Sequence, residues 1–356
     1  MIENDEATAA PMQVIQNRWY VVLSSSELSS ERPVGRRRFG LELVFWRDAE
    51  GRVAVATDRC PHRRAKLSLG RVKGGCVECP FHGFTFDRDG ACRSIPAHPE
   101  RSIPRAMHLT TATVREEHGF VWLWTGPAEA PEGPIPFFDF EGFSHAGSEH
   151  TEPVHVHYTL AIENQLDFAH LPFVHRTTIG RSMAPGPMVV RTEIEGDRIR
   201  AWLDGQDGFL ELLGPNVWRL RLSSDLHQQI AFVPVDEQRM LYYVRTYQRV
   251  VTLPGLDRLF GTFQRAFNPL ILRQDSRVVE SIANGETRLR GMGEVLVPSD
   301  VAIIAYRRWR EANRGPLAAF GPPDTSEEEG ELVHPSTLVR HLDPARRAEL
   351  ELDRIA

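Results

Sequence analysis

Two short segments of the chain combine cysteine with histidine at close spacing. One residue separates Cys60 from His62, and two residues separate Cys79 from His82. All 4 cysteines of the 356-residue chain lie between positions 60 and 92. In a long chain, such a cluster favours a metal site over disulfide bonds. The thiolate and imidazole groups of these four residues are therefore the first candidates for chemistry.

Each segment offers one thiolate and one imidazole. If the two loop tips face each other, one iron can take both thiolates and a second iron both imidazoles, which is the ligand set of a Rieske [2Fe–2S] cluster. A structural zinc site is the alternative, but zinc loops usually place two or more residues between paired ligands. The single residue between Cys60 and His62 is cramped for one tetrahedral ion. We therefore expect a [2Fe–2S] cluster bound by Cys60, His62, Cys79 and His82.

A second candidate metal site follows about a hundred positions later. Asp167 and His170 are three apart, so they would be neighbours on one face of a helix predicted over about 160–171. His175 is poorly spaced for that face, but Pro172 disfavours helix at the residue before it and would bend the chain. Two histidines and a carboxylate form the facial triad of non-haem Fe(II) oxygenases, which leaves positions open for O2. Two unrelated histidines remain the alternative, although the upstream cluster segments favour iron.

The first site must be positioned by short strands. Alternating apolar and polar residues within 17–57 and 112–125 predict strands and a hairpin around the Gly-, Pro-, Cys- and His-rich stretch 58–104. The proline-rich run 126–136 is typical of a linker. Residues 17–130 are therefore predicted to form a small all-β domain.

The second site must be positioned by a mixed structure. Long alternating runs within 188–250 predict a large antiparallel sheet. Helical spacing follows at 256–284 and 299–314, and a short helix is predicted near 343–354. We therefore predict an α+β chain with an N-terminal extension at 1–16, the all-β [2Fe–2S] domain at 17–130, and a catalytic domain with a C-terminal tail at 131–356.

The motifs resemble those of one enzyme family. CPHRRAKLSLGRV, CPFHGFTFDRDGACRSIP and the later VWLW resemble the Rieske domain of ring-hydroxylating and demethylating oxygenases. The segment from Asn164 to His175 matches their Asn-x-x-Asp-x-x-His-x-x-x-x-His pattern. The resemblance runs from about Trp19 to about Tyr306. It is closest to the homotrimeric demethylase and pheophorbide-oxygenase-like branch, and it implies a helix-grip (START-like) second domain with a curved antiparallel sheet over a hydrophobic cavity.

The resemblance also implies a third iron ligand, a carboxylate on a downstream helix. Asp275 in NPLILRQDSRVVESI is the better match, and Glu280 is the alternative. Some apolar residues of the large sheet should line the substrate cavity and most should be core, without the sequence deciding which: Trp202, Phe209, Leu212, Trp218, Phe232 and Tyr242.

Asp167 is not expected to bind iron. The resemblance implies that it connects His170 to a cluster histidine of a neighbouring subunit, His82 by motif position, within a head-to-tail homotrimer. Asn164 would lie near the iron, although a helix cap or polar network suits its residue type equally well.

These inferences predict the terminal oxygenase of a Rieske system. It would take electrons from an external reductase, possibly through a ferredoxin, so that NAD(P)H acts only indirectly. O2 would be the co-substrate for monooxygenation (hydroxylation, demethylation or oxidative cyclisation) of an apolar or aromatic small molecule. The alternatives are a non-catalytic electron-transfer or redox-sensing protein and a small-molecule carrier built on the same cavity.

Composition excludes other classes. A net charge of −6 without a dense basic patch gives no reason to expect nucleic-acid binding. The N-terminal residues MIENDEATAAP lack the apolar stretch of a signal peptide, and no run has the length of a membrane span. We therefore expect a soluble, cytoplasmic protein.

Overall fold

A computed structural model describes residues 11–251, 253, 256–282 and 285–320 of the chain. The helix predicted near 343–354 lies outside the described residues. None of the described helices is long and apolar enough to cross a membrane. The described residues form an α+β structure with one large sheet, several small sheets and four α-helices.

The N-terminal part is built from short strands. Strands β1 to β11 are Gln13–Ile15, Trp19–Ser24, Val34–Arg38, Leu41–Arg47, Val53–Thr57, Arg71–Lys73, Cys76–Glu78, Thr85–Phe86, Cys92–Ser94, Val114–Glu117 and Phe120–Trp124. They form three small sheets in the orders β10–β11–β2, β3–β4–β5 and β6–β7–β8–β9. The strands predicted within 17–57 and the hairpin predicted within 112–125 are confirmed. β1 lies in the predicted N-terminal extension and pairs with residues 314–316, far along the chain.

The large sheet dominates the second half of the chain. Strands β12 to β19 are Ser144–Val154, Val190–Glu195, Arg198–Leu203, Phe209–Leu213, Val217–Ser223, Leu226–Asp236, Arg239–Gln248 and Arg314–Pro316. Seven of them form an antiparallel sheet in the order β12–β18–β17–β16–β15–β14–β13. The antiparallel sheet predicted within 188–250 is confirmed, and β12 extends it at one edge.

The two faces of this sheet are buried in different core clusters. Helices α1 to α4 are Tyr158–Leu166, Leu171–Val174, Leu256–Val279 and Val301–Asn313. Successive residues of a strand point to opposite faces. Accordingly, Ile230 and Phe232 of β17 join a core cluster with residues of α1 and α3. Ala231 and Val233 instead join a cluster with Trp122 of the N-terminal domain. Burial of both faces explains the continuous apolar run of β17.

A buried ion pair connects α1 with α4. The Glu163 carboxylate accepts hydrogen bonds from Arg307 Nε at 2.9 Å and Arg307 Nη2 at 2.6 Å. Both side chains are only 3% exposed. Arg310 of α4 lies 4.0 Å from the same carboxylate. Because α1 leads directly into the second candidate metal site, this contact also helps to position that site.

Removal of the Glu163 charge should destabilise the protein strongly. Glu163→Gln leaves Arg307 with only the partly exposed Glu294 as a carboxylate partner, and breaking a buried ion pair costs about 3–5 kcal/mol. We expect the free energy of unfolding, measured by urea denaturation followed by circular dichroism, to fall by this amount. Glu193→Gln is the matched control, because Glu193 is exposed on β13 and its loss should change stability by less than about 0.5 kcal/mol. Equal stability of the two variants would contradict the prediction.

Candidate functional site

The two cysteine–histidine loops follow β5 and β7 and close in the same way. The Arg64 N–H donates to the Cys60 carbonyl oxygen at 2.9 Å, and the Gly83 N–H donates to the Cys79 carbonyl oxygen at 3.0 Å. Both donors have left-handed backbone, with φ of 59° at Arg64 and 73° at Gly83. Glycine adopts this conformation freely, and loop closure holds Arg64 in it. The two loops therefore have similar backbone conformations where they present their cysteine and histidine side chains.

The four predicted cluster ligands lie in two pairs. Cys60 and Cys79 are buried, and their thiol groups contact each other. His62 and His82 are exposed, with ring centroids 4.7 Å apart. Burial raises the pKa of the Cys60 thiol to about 11, so a thiolate at this position needs a nearby cation. Burial and the neighbouring His82 lower the pKa of His62, which favours the neutral imidazole that binds metals.

This arrangement fits two metal ions better than one. Among the described residues, only His170, His175 and Asp275 form a group of three or more potential ligands whose donor atoms all lie within 4.8 Å of one another. A single tetrahedral zinc ion, with bonds of about 2.0–2.3 Å, would require its four donor atoms to lie closer than this. Separate sulfur and nitrogen pairs instead suit the two irons of a [2Fe–2S] cluster.

The second predicted metal site is assembled from α3 and the residues flanking α2. Asp275 Oδ1 lies 2.9 Å from His175 Nε2 and 3.5 Å from His170 Nε2. All three side chains are largely buried. Burial, the largest influence, lowers the pKa of His170 and favours its neutral form. Two imidazole nitrogens and one carboxylate oxygen thus converge on one point, which is the donor set of a facial triad.

The backbone between the two histidine-bearing turns differs from the predicted helix over 160–171. α1 ends at Leu166, and Asp167 has extended backbone with φ −91° and ψ 107°. The Asp167 side chain accepts a hydrogen bond from the Ala169 N–H at 2.8 Å, a local turn that competes with helix. This turn, and not a shared helical face, brings Asp167 Oδ2 to 3.8 Å from His170 Nδ1.

Pro172 also acts differently from the prediction. It lies in the first turn of α2, where its missing N–H costs no helical hydrogen bond. The helical backbone is interrupted at Asp167, before α2 begins. The short helix α2 then brings His175 close to His170, with 5.3 Å between their ring centroids. The two histidines do meet, but the residue that turns the chain is the aspartate.

Gln274 is a site residue that sequence reasoning missed. Its Oε1 lies 2.9 Å from His175 Nδ1 and accepts from the Thr178 hydroxyl at 2.7 Å. The Nδ1 proton of His175 then points to Gln274, which leaves Nε2 as the metal-binding atom. Burial opposes protonation of His175, but its hydrogen bonds to Asp275 and Gln274 outweigh burial and raise its pKa. The only sequence signal was the position of Gln274 directly before Asp275.

The loss of this hydrogen bond should weaken metal binding. In Gln274→Leu, His175 loses the acceptor that orients its ring, and loss of such partners typically lowers metal affinity by about 10–100-fold. Anaerobic titration of the iron-depleted site with Fe(II) against a chelator measures this affinity. Gln264→Leu, on the same helix α3 but outside the site, should bind Fe(II) like the unmodified protein. An unchanged Fe(II) affinity in Gln274→Leu would contradict the role of Gln274 in orienting His175.

Glu280, the alternative third ligand, is not part of the triad. Glu280 accepts a hydrogen bond from the His155 N–H at 3.2 Å and is not in the group of converging ligands. Asn164 is not among the residues that line the cavity beside the triad, and its place near the iron stays a prediction. Gln165, the next residue on α1, borders the cavity and donates to Asp275 Oδ2 at 3.5 Å. The orientation of α1 relative to α3 therefore brings the side-chain amide of Gln165 to the Asp275 carboxylate.

A cavity of about 440 Å³ opens beside the triad. Of the six sheet residues singled out from the sequence, Phe209 and Trp218 line it. The remaining four do not border it: Trp202, Leu212, Phe232 and Tyr242. Its walls are mainly aliphatic and aromatic, so the metal-binding residues face a space suited to an apolar molecule.

Family models match both halves of the chain. Residues 18–113 match the Rieske [2Fe-2S] domain. Residues 154–208 and 217–314 match the vanillate O-demethylase oxygenase C-terminal domain. The first match contains both cysteine–histidine loops, and the second contains all three residues of the triad.

Individual proteins are similar over part of the chain. The iron-sulfur subunit of the toluene-4-sulfonate monooxygenase system of Comamonas testosteroni is 37% identical over 176 residues, which is 48% of this chain and 49% of that protein. The oxygenase component of dicamba O-demethylase of Stenotrophomonas maltophilia is 35% identical over 175 residues, 46% of this chain and 49% of that one. The chain thus spans about half the length of these curated relatives. The solved structure of NdmA from Pseudomonas putida CBB5 shares the fold, with a TM-score of 0.70 at 24% identity over 83% of this chain and 89% of that chain.

Proposed function

The chain belongs to the Rieske non-haem iron oxygenases, and from this premise we propose that it is the terminal oxygenase component of a multicomponent system. One observation carries the proposal: His170, His175 and Asp275 converge beside an apolar cavity in a chain that also has a Rieske domain. A cluster alone would suffice for electron transfer. A second donor set next to a cavity adds a place where O2 and an organic molecule can meet.

The proposal assigns two metal centres to two domains, whose boundaries we place at 17–130 and 131–356. Cys60, His62, Cys79 and His82 would hold a [2Fe–2S] cluster, and His170, His175 and Asp275 would hold a mononuclear Fe(II). When bound, these centres supply one-electron transfer and activation of O2 as co-substrate.

The surrounding residues supply orientation and a dry site. Gln274 orients the His175 ring, and the Asp275 carboxylate offsets part of the charge of a bound cation. The apolar walls exclude water around the reacting groups and favour an apolar or aromatic small molecule. The reaction is a monooxygenation of this substrate: hydroxylation, demethylation or oxidative cyclisation.

The proposed partners are a reductase or ferredoxin and further copies of the chain. The exposed edges of His62 and His82 suit electron entry from a partner, so NAD(P)H acts only through that partner. Asp167 is 29% exposed beside His170, which suits contact with His82 of a neighbouring subunit in a homotrimer. We place the protein in the cytoplasm, where cysteines without disulfide bonds among them are the usual state.

Metal analysis tests the proposal directly. The purified protein should contain about three irons and two acid-labile sulfides per chain, because a [2Fe–2S] cluster accounts for two of the irons. With a reductase, it should consume O2 in the presence of an oxidisable substrate. Two irons per chain and no O2 uptake would instead support an electron-transfer or redox-sensing protein, and the proposal would fail.

A further inference from the structure

The helix that carries Asp275 has large apolar side chains on a face turned away from the core. The inner face of α3 is buried, with Gly261, Asn268 and Asp275 at intervals of seven residues. Phe263 follows Gly261 by two positions, which is about 200° around a helix, so it points the opposite way. Four residues form this outer stripe, and they are between 47% and 65% exposed: Leu256, Leu259, Phe263 and Leu270. Their spacings of three, four and seven residues are typical of a helix face that packs against another segment.

Two arginines continue the outer stripe toward the C-terminal end of α3. Arg273 and Arg277 extend it with the same spacings of three and four residues, so they lie on the same face. Both are exposed, and neither forms a salt bridge with a described residue. The nearby carboxylates have other partners, because Asp275 faces the triad and Glu280 accepts a backbone hydrogen bond. The outer face of α3 is therefore apolar in one half and positive in the other.

The residues that follow the described chain have a complementary composition. Residues 321–356 contain 9 acidic and 4 basic side chains, so this stretch carries −5 of the net charge of −6. Within it, an acidic run at 327–331, EEEGE, directly precedes an aliphatic run at 332–342, LVHPSTLVRHL. The aliphatic run contains five leucines and valines. An acidic run beside an aliphatic run matches the positive and apolar halves of α3.

The described chain ends on the side of the molecule where the positive half of α3 lies. Its last residues follow β19, which pairs with β1, and the Gln13 N–H of β1 donates to Glu237 in the turn between β17 and β18. Glu237 Oε2 lies 3.6 Å from His157 Nε2. Two positions earlier, the His155 N–H donates to Glu280, just after the end of α3. This series of contacts connects the last described residues with the C-terminal end of α3.

We propose that residues 327–342 of the same chain cover the outer face of α3. The acidic run pairs with Arg273 and Arg277, and the aliphatic run packs on the outer stripe. The six residues before the acidic run can span about 20 Å, which allows them to make the connection. A second copy of α3 is less suited to this face, since it would bring two further arginines to two that are unpaired. The segment supports from outside the helix that brings Asp275 to the triad.

Zero-length cross-linking of the whole chain tests the contact. Arg273→Lys keeps the positive charge and introduces an amine that a carbodiimide couples to a carboxylate touching it. The background is low because the chain has only two natural lysines, Lys66 and Lys73. Mass spectrometry should identify a bond to a glutamate of 327–331, in material that keeps the mass of a single chain on a denaturing gel. No bond to 327–331, or bonds only between two chains, overturns the inference.

Matched variants localise the contact. Arg191→Lys, at an exposed position of β13, should give no bond to the acidic run. Phe263→Glu, added to Arg273→Lys, removes an aromatic side chain of the outer stripe and places a like charge before the acidic run, so the cross-link yield should fall at least about fivefold. Val295→Glu, at an exposed valine outside α3, should leave the yield unchanged. If Phe263→Glu leaves it unchanged as well, the segment does not pack on the outer stripe and the inference is wrong.

The cross-linking outcome is separate from the proposed function. It requires no substrate, O2 or reductant, so a contact between 327–342 and α3 could be present in a protein that fails as an oxygenase. An active oxygenase without this contact would overturn the inference and leave the proposed function.

Discussion

Asp275→Ala is expected to lower the iron content from about three to about two atoms per chain, while the acid-labile sulfide stays at about two. The carboxylate is the third member of the converging donor set, and two neutral imidazoles alone hold Fe(II) weakly. Reductase-dependent O2 consumption should fall by more than about 100-fold, beyond the range typical of outer-shell partners. The visible spectrum of the cluster should persist, because its ligands lie in another domain.

Glu280→Ala is the matched control for this prediction. Glu280 follows α3 closely, carries the same carboxylate and was the alternative ligand from sequence, but it hydrogen bonds to the His155 N–H outside the triad. Iron content and O2 uptake should therefore match those of the unmodified protein. If Glu280→Ala loses the third iron and Asp275→Ala keeps it, the assignment of the triad is reversed.

Asp167→Asn is expected to retain both metal centres and yet slow electron transfer between them by about 100-fold, the upper end of the effect of an outer-shell partner. The carboxylate lies 3.8 Å from His170 Nδ1, a buried ring nitrogen that has no hydrogen-bond partner among the described residues. Asparagine keeps the size of the side chain and its turn but removes the charge that can link His170 to a histidine of another subunit. Stopped-flow oxidation of the reduced cluster in a single turnover measures the rate.

The control for Asp167→Asn is a second aspartate of the same cavity. Asp207→Asn removes the same charge at the exposed rim, without contact with either histidine of the triad, so transfer at saturating substrate should keep its rate. Metal content must be unchanged in both variants for the comparison to hold. Equal rates of cluster oxidation in the two variants would show that Asp167 does not take part in electron transfer.

Sequence was sufficient for features that depend on neighbouring residues. The cysteine–histidine loops are closed by hydrogen bonds between residues four positions apart, so their spacing already specifies how the side chains are presented. The strands of the large sheet could be predicted because the alternation of apolar and polar residues along a strand indicates which side chains are buried. The family resemblance added Asp275, although it lies 105 residues after His170. Local propensity alone would not have placed those two residues together.

Tertiary structure decided everything that depends on how helices are rotated and packed. It brought Gln165 to Asp275, made Gln274 a partner of His175, and left Glu280 outside the triad. It also replaced the predicted helix at Asp167 with a side-chain-capped turn. These outcomes follow from the packing of α1 and α3 against the sheet, where a rotation by one residue turns a side chain by about 100°. Such rotations are set by contacts between residues distant in sequence, which no local pattern encodes.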